Sequence, residues 1–143
     1  MPEIWVLDTH VWIRLLNGDP FLNRPLFLEA LNDVSRGQGL RIAAISLWET
    51  AMLAAKGRLK LTSPVRDWLE AAQRMPGLAV VALSAEIATD SCFLPGTFRG
   101  DPADRLITAT ARCTGAWVIT LDEAILDYGN AAWVRARSPL EYS

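Results

Sequence analysis

Asp8, Glu49, Asp104 and Asp122 are the residues of this chain best suited to chemistry. Each stands at or just inside the start of a helix-like segment. Asp8 closes the apolar run Ile4-Trp5-Val6-Leu7, and Asp122 closes Val118-Ile119-Thr120-Leu121. Glu49 comes soon after Ile42-Ala43-Ala44-Ile45, and Asp104 ends Asp101-Pro102-Ala103-Asp104. In an open parallel sheet, strand ends and the helix starts that follow them share one edge, where such sheets place their ligands. Four carboxylates gathered there repel one another unless a cation holds them together. Hard cations such as Mg²⁺ or Mn²⁺ prefer carboxylate oxygens and retain several waters. A water polarised by such an ion is a good nucleophile, and the ion neutralises charge on a phosphate.

The same acids have competing local roles. Ser46-Leu47-Trp48-Glu49 has the form of a capping box, with Ser46 as cap and Glu49 reaching back to its N–H. Asp101-Pro102-Ala103-Asp104 has a cap, a first-turn proline and an acid at the third position. In Thr120-Leu121-Asp122-Glu123 the box position falls on Glu123, which leaves Asp122 for other work. Asp8 competes with Thr9 to cap its own helix. Thr9, Ser46 and Thr120 carry hydroxyls that either orient carboxylates and waters or act as plain caps.

The elements that must position these residues read as alternating strands and helices. Strands are expected over Ile4 to Leu7, Arg41 to Ile45, Leu78 to Leu83 and Trp117 to Thr120, with a short edge strand at Trp133 to Val134. Helices are expected over Thr9 to Leu16, Phe21 to Ser35, Ser46 to Lys56, Ser63-Pro64 to Met75, Ser84 to Phe93, Asp101 to Gly115 and Glu123 to Tyr128. Asn17-Gly18-Asp19-Pro20 and Arg36-Gly37-Gln38-Gly39 are turns. Strands separated by helices imply a parallel sheet with helices on both faces, in one α/β domain over residues 1–143.

Composition narrows the class. The 51% apolar content and mean hydropathy of +0.18 suit a folded globule. The formal net charge of −2 advertises no global field for nucleic acid, although a local basic rim would still steer a polyanion. Cys92 and Cys113 fit no zinc spacing, and with His10 as the one histidine they read as buried free thiols of a reducing cytosol. Nothing resembles a signal peptide, and no apolar stretch approaches the roughly 20 residues that span a bilayer. A cytoplasmic protein without membrane contact is expected.

Taken together, Leu7-Asp8-Thr9-His10-Val11-Trp12, Ser46-Leu47-Trp48-Glu49 with Lys56-Gly57-Arg58-Leu59, Gly100-Asp101-Pro102-Ala103-Asp104-Arg105-Leu106-Ile107 and Val118-Ile119-Thr120-Leu121-Asp122-Glu123 resemble the PIN domain. Within that family the chain resembles VapC-type toxins of toxin–antitoxin pairs, over essentially its whole length. The resemblance implies a three-layer α/β/α sandwich around a short parallel sheet. It implies an Mg²⁺- or Mn²⁺-dependent endoribonuclease leaving 5′-phosphate and 3′-hydroxyl ends. The family's acidic quartet falls on Asp8, Glu49, Asp104 and Asp122, with Asp101 as an auxiliary metal ligand. It also implies an RNA substrate, a cognate VapB-like antitoxin and a homodimer. Many relatives carry a His where this chain has Phe98-Arg99.

Around the quartet, Glu49 is expected to steer or deprotonate the attacking water. Arg14, Arg58, Lys60, Arg99 and Arg105 form a candidate phosphate-holding rim, although Arg105 also has Asp101 as a helical pairing partner. Trp12, Leu15, Leu16, Phe21, Leu47, Met52 and Leu53 offer apolar surface for a second copy or an antitoxin helix, or else pack the core. A receiver-like phosphoaspartyl switch at Asp8 is disfavoured, because no acid flanks Asp8 and no Lys follows Lys60. The alternative is a PIN-fold RNA- or partner-binding protein without turnover.

Overall fold

The computed structural model describes residues 3–142. The two ends of the domain expected over 1–143 lie outside them. Five strands, β1 (Trp5–Leu7), β2 (Leu40–Ala43), β3 (Leu78–Val81), β4 (Trp117–Ile119) and β5 (Arg135–Arg137), form one sheet of order β3-β2-β1-β4-β5. Every pairing is parallel, as the helical connections require. Among the described residues, seven helices join them: α1 (Thr9–Leu16), α2 (Pro25–Arg36), α3 (Ile45–Ala55), α4 (Val65–Ala72), α5 (Ala85–Cys92), α6 (Pro102–Thr114) and α7 (Glu123–Asn130).

From β1 the chain winds outward through β2 to β3, then crosses back to β4 on the other side of β1. The strand order therefore reverses between β1 and β4. At such a switch point the connections leave in opposite directions and open a crevice beyond the strand ends. Asp8 follows β1 and Thr120 follows β4, so the two residues border that crevice.

Alternation along the strands assigns the layers. Trp5, Leu7, Leu40, Ile42 and Ile119 point to one face, where α1, α2 and α4 supply Val11, Trp12, Phe27, Leu31 and Trp68. Val6, Ala43 and Val118 point to the other, against Ile107, Ala111, Ile125 and Tyr128 of α6 and α7. Strands apolar on both faces are what a sheet sandwiched between helices needs. Each large buried side chain contributes about 1.5–3 kcal/mol. The tryptophans follow this division. Trp5 stacks on Phe27 and Trp12 meets Trp68 edge-on, while Trp48 and Trp133 are exposed.

Several expected boundaries move. The helix expected over Phe21 to Ser35 divides into a 3₁₀ turn, Pro20–Leu22, and α2, because Pro25 favours a helix start and disfavours helix in the residue before it. Pro64 stands one residue before α4 rather than inside it. The last strand is Arg135–Arg137, not Trp133–Val134. Val134 instead packs into the core beneath α7, after a turn in which Ala132 has φ +68°. Both thiols are free, but Cys92 is exposed at the end of α5 and Cys113 is half-buried, so neither is the fully buried residue expected.

Of the early apolar residues, Trp12 is fully buried, while Leu15, Leu47 and Leu53 are partly buried against the core. Leu16 and Phe21 remain exposed. Among the described residues no helix is long and apolar enough to cross a membrane.

Candidate active site

Asp8 ends β1 and caps nothing with its side chain. It is 3% exposed, and the Thr120 hydroxyl donates to its Oδ2 at 2.7 Å. The same hydroxyl oxygen accepts from the Asp122 N–H at 2.9 Å. One threonine thus fixes the Asp8 carboxylate and the backbone that presents Asp122. The sequence offered Thr120 as either orienter or cap, and it is an orienter.

Asp122 is not spared capping duty. Its Oδ1 accepts from the N–H groups of Ala124 and Ile125 at 2.8 and 3.3 Å, so Asp122, not Glu123, caps α7. The extended backbone at Asp122 swings its carboxylate over the first turn, whereas Glu123 already lies inside the helix.

The box expected at Ser46 and Glu49 does not form. α3 begins one residue earlier, at Ile45, with no side-chain cap. The Ser46 hydroxyl pairs instead with Thr9 Oγ1 at 2.8 Å and joins α3 to α1, while Thr50 donates to the Ser46 carbonyl at 2.8 Å. Glu49, released from capping, is 7% exposed, and its Oε1 has no hydrogen-bond partner. A carboxylate oxygen left so is costly unless something outside the chain satisfies it.

The capping box at α6 does form. Asp101 Oδ1 accepts from the Asp104 N–H at 2.8 Å, and Asp104 Oδ2 accepts from the Asp101 N–H at 3.3 Å. Asp104 is therefore held by its cap rather than freed from it. Gly100 permits this placement, because a Cβ there would meet the Phe98 ring at 2.4 Å and Asp104 Cβ at 2.7 Å.

Two of the acids register their neighbours. Burial pushes the Asp8 carboxyl up to about 6, opposed by the Thr120 hydrogen bond and by His10, with Glu49 and Asp122 raising it further. Asp104 is pushed up to about 7 by burial first, then by Asp122, Asp101 and Asp8. Such shifts mark groups whose negative charge lacks compensation. Among the described residues, no three His, Cys, Asp or Glu side chains close round a single point. The quartet shares one neighbourhood but is not drawn together. Oxygen-only donors, an unpartnered Glu49 oxygen and the raised Asp8 and Asp104 carboxyls fit a hard divalent cation.

A profile of the PIN domain matches residues 5–131. The chain is also 35% identical over 123 residues to Ribonuclease VapC22 of Mycobacterium tuberculosis, covering 84% of this chain and 88% of that relative. This chain is a PIN domain of the VapC type. Two solved structures share the fold. One is VapBC2 from Rickettsia felis bound to a DNA fragment from their promoter (TM-score 0.68, 16% identity, 94% of this chain and 98% of that one). The other is FitAB bound to IR36 DNA fragment (TM-score 0.61, 21% identity, 95% of each chain).

Around the acids of this PIN domain, the candidate rim sorts into distinct roles. Arg105 does not pair with Asp101. Its Nε donates to the Ser91 carbonyl at 3.0 Å and its Nη1 to the Phe98 carbonyl at 3.4 Å, with the guanidinium against the Phe98 ring. It pins the loop before the capping box, a role that an arginine one turn inside a helix did not advertise. Arg14 forms a loose pair with Asp19 at 3.7 Å and lies over Phe21. Arg58, Lys60 and Arg99 are exposed, and Arg99 lines a cleft beside Glu123 and Asp127. His10 is exposed as well. Thr50 was missed in the sequence, because a threonine inside a helix carries no mark of which carbonyl it will meet.

Proposed function

We propose that this PIN domain is a divalent-metal-dependent endoribonuclease, the toxin of a toxin–antitoxin pair. The observation that carries the reading is Asp8: a carboxylate at the β1–β4 switch point, aimed by Thr120 and raised by its burial, with Glu49 and Asp122 adding to that. Its VapC-type relative, named a ribonuclease, supports RNA as the substrate.

Asp8, Asp104 and Asp122 would hold the ion, with Glu49 completing the site and Asp101 as auxiliary. Mg²⁺ or Mn²⁺, when bound, supplies positive charge against the scissile phosphate and makes a nearby water more acidic. With Asp122 Oδ1 committed to α7, its Oδ2 is the oxygen that would be free to face the ion. Glu49 accepts a proton from the water that attacks phosphorus. The phosphorus bond to the 3′ oxygen breaks, and that oxygen takes a proton from solvent and leaves as a hydroxyl. Phosphate stays on the 5′ end, and Glu49 returns its proton to solvent. Thr120 keeps Asp8 from turning away as the acids repel one another.

The partner is a small VapB-like antitoxin, a reading supported by the VapBC and FitAB complexes that share this fold. An arginine from such a partner would occupy the acid cluster in place of the ion's charge. The active unit is a cytoplasmic homodimer.

The deciding experiment follows cleavage of RNA by wild type and Asp8→Asn, with Mg²⁺ and with EDTA. Cleavage by wild type alone, abolished by EDTA, is expected. Cleavage that survives both EDTA and Asp8→Asn would overturn the metal mechanism.

A further inference from the structure

Beside the acid cluster, a cavity of about 200 Å³ opens between α1 and the turn after α3. Its polar walls are His10, Arg14, Asn17, Asp19 and Arg58. His10 stands two residues beyond Asp8, and His10 and Arg14 lie one turn apart on α1, so both face the same side of that helix. Arg58 comes from the chain just after α3, the helix that carries Glu49. Two independent segments thus bring basic groups to one hollow.

Among the described residues, the side chains of Arg58 and His10 make no hydrogen bond or ion pair. Arg14 has only its loose contact with Asp19, whose Oδ1 is already committed to capping the Pro20–Leu22 turn. Leaving His10 neutral, two arginines face one aspartate, and the cavity carries net positive charge. This is the reverse of the acid cluster next to it, and an unpartnered guanidinium is a strong, directional donor to phosphate oxygens.

We propose that this cavity is a phosphate subsite, which takes a backbone phosphate of the RNA strand flanking the bond to be cut. The proposal rests on the ribonuclease reading. Arg58 is the principal contact, Arg14 shifts from Asp19 to the phosphate, and Asn17 and His10 supply further polar contacts. A strand anchored here is held by its backbone beside the acids, so the cavity positions the strand and carries no base preference.

Binding of a short labelled single-stranded RNA across a salt series, with Ca²⁺ replacing Mg²⁺, tests the subsite. Each phosphate contact on a single strand contributes about 0.7 to the slope of log affinity against log salt. Arg58→Gln is expected to weaken binding about 3-fold and to lower that slope by about 0.7. Arg14→Gln with Arg58→Gln is expected to reach about 10-fold, with the slope change still about 0.7 because a single phosphate is released. Arg74→Gln, an exposed residue beyond α4, is expected to match wild type. Thermal unfolding unchanged by Arg58→Gln separates lost contact from lost fold. Wild-type affinity and slope in both arginine variants would overturn the subsite. Wild type that binds with the expected slope yet leaves RNA uncut in Mg²⁺ would instead overturn the ribonuclease reading, with the subsite intact.

Discussion

Thr120 donates a hydrogen bond to Asp8 at 2.7 Å across 112 residues of chain. The contact joins the ends of β1 and β4 where the strand order reverses, and its oxygen also receives the Asp122 N–H. Removing a group that orients a metal-binding carboxylate commonly costs 10–100-fold in metal affinity or activity. Thr120→Val is expected to lower RNA cleavage by about that factor, and a Mg²⁺ titration should recover part of it. Thr120→Ser, which restores the hydroxyl, should recover most.

Asp8→Asn and Asp104→Asn are expected to reduce cleavage at least about 100-fold, as losing several kcal/mol of charge complementarity implies. Both should stay folded. Each removes a charge that its neighbours oppose, so metal-free unfolding midpoints should equal or exceed wild type. Thermal melts in EDTA beside cleavage assays check both halves. Asp104→Asn with intact metal-dependent cleavage would remove Asp104 from the site.

Acidity should stabilise the metal-free protein. Asp8 and Asp104 ionise in the fold only near pH 6 and 7, against an ordinary carboxylate near 4. Between those limits the folded state binds more protons than the unfolded chain, so unfolding free energy falls as pH rises. The penalty is absent below about pH 4 and complete above about pH 7. Unfolding midpoints in EDTA should therefore rise from about pH 7.5 towards about pH 5, on this carboxylate scale. Saturating Mg²⁺ should oppose the trend, since the ion binds the deprotonated acids and gains affinity as pH rises.

Arg105 links α5, the Phe98 loop and α6 through two carbonyls and a ring. Lysine cannot reproduce that fork. Arg105→Lys is expected to cost about 1–3 kcal/mol, the worth of charge-assisted hydrogen bonds to carbonyls. Protease cleavage between Leu94 and Gly100 should rise with it. Gly100→Ala should show a loss of cleavage out of proportion to stability, because the new methyl must displace Phe98 or Asp104. Paired unfolding and kinetic measurements separate the two effects.

Much of this protein was legible along the chain. Apolar runs of strand length alternating with amphipathic helices dictated a parallel α/β sheet, because strands buried on both faces leave no polar positions. Positions after those runs marked Asp8 and Asp122, and the Asp-Pro-x-Asp spacing marked a capping box at α6 that forms as expected. Such features depend on neighbours a few residues apart, which sequence order fixes directly.

Tertiary structure decided which local promise each polar group kept. Ser46 and Glu49 had the spacing of a box, but α1 brought Thr9 to the Ser46 hydroxyl, leaving Glu49 buried with an unpartnered oxygen. Asp122 was expected to be free, yet it caps α7 with one oxygen because the backbone leaving β4 turns its carboxylate over the helix start. Arg105 had a partner one turn away in Asp101 and chose carbonyls brought in by the loop after α5. A polar side chain takes whichever partner packing delivers at hydrogen-bonding distance, and that partner is set by the sheet order rather than by sequence spacing.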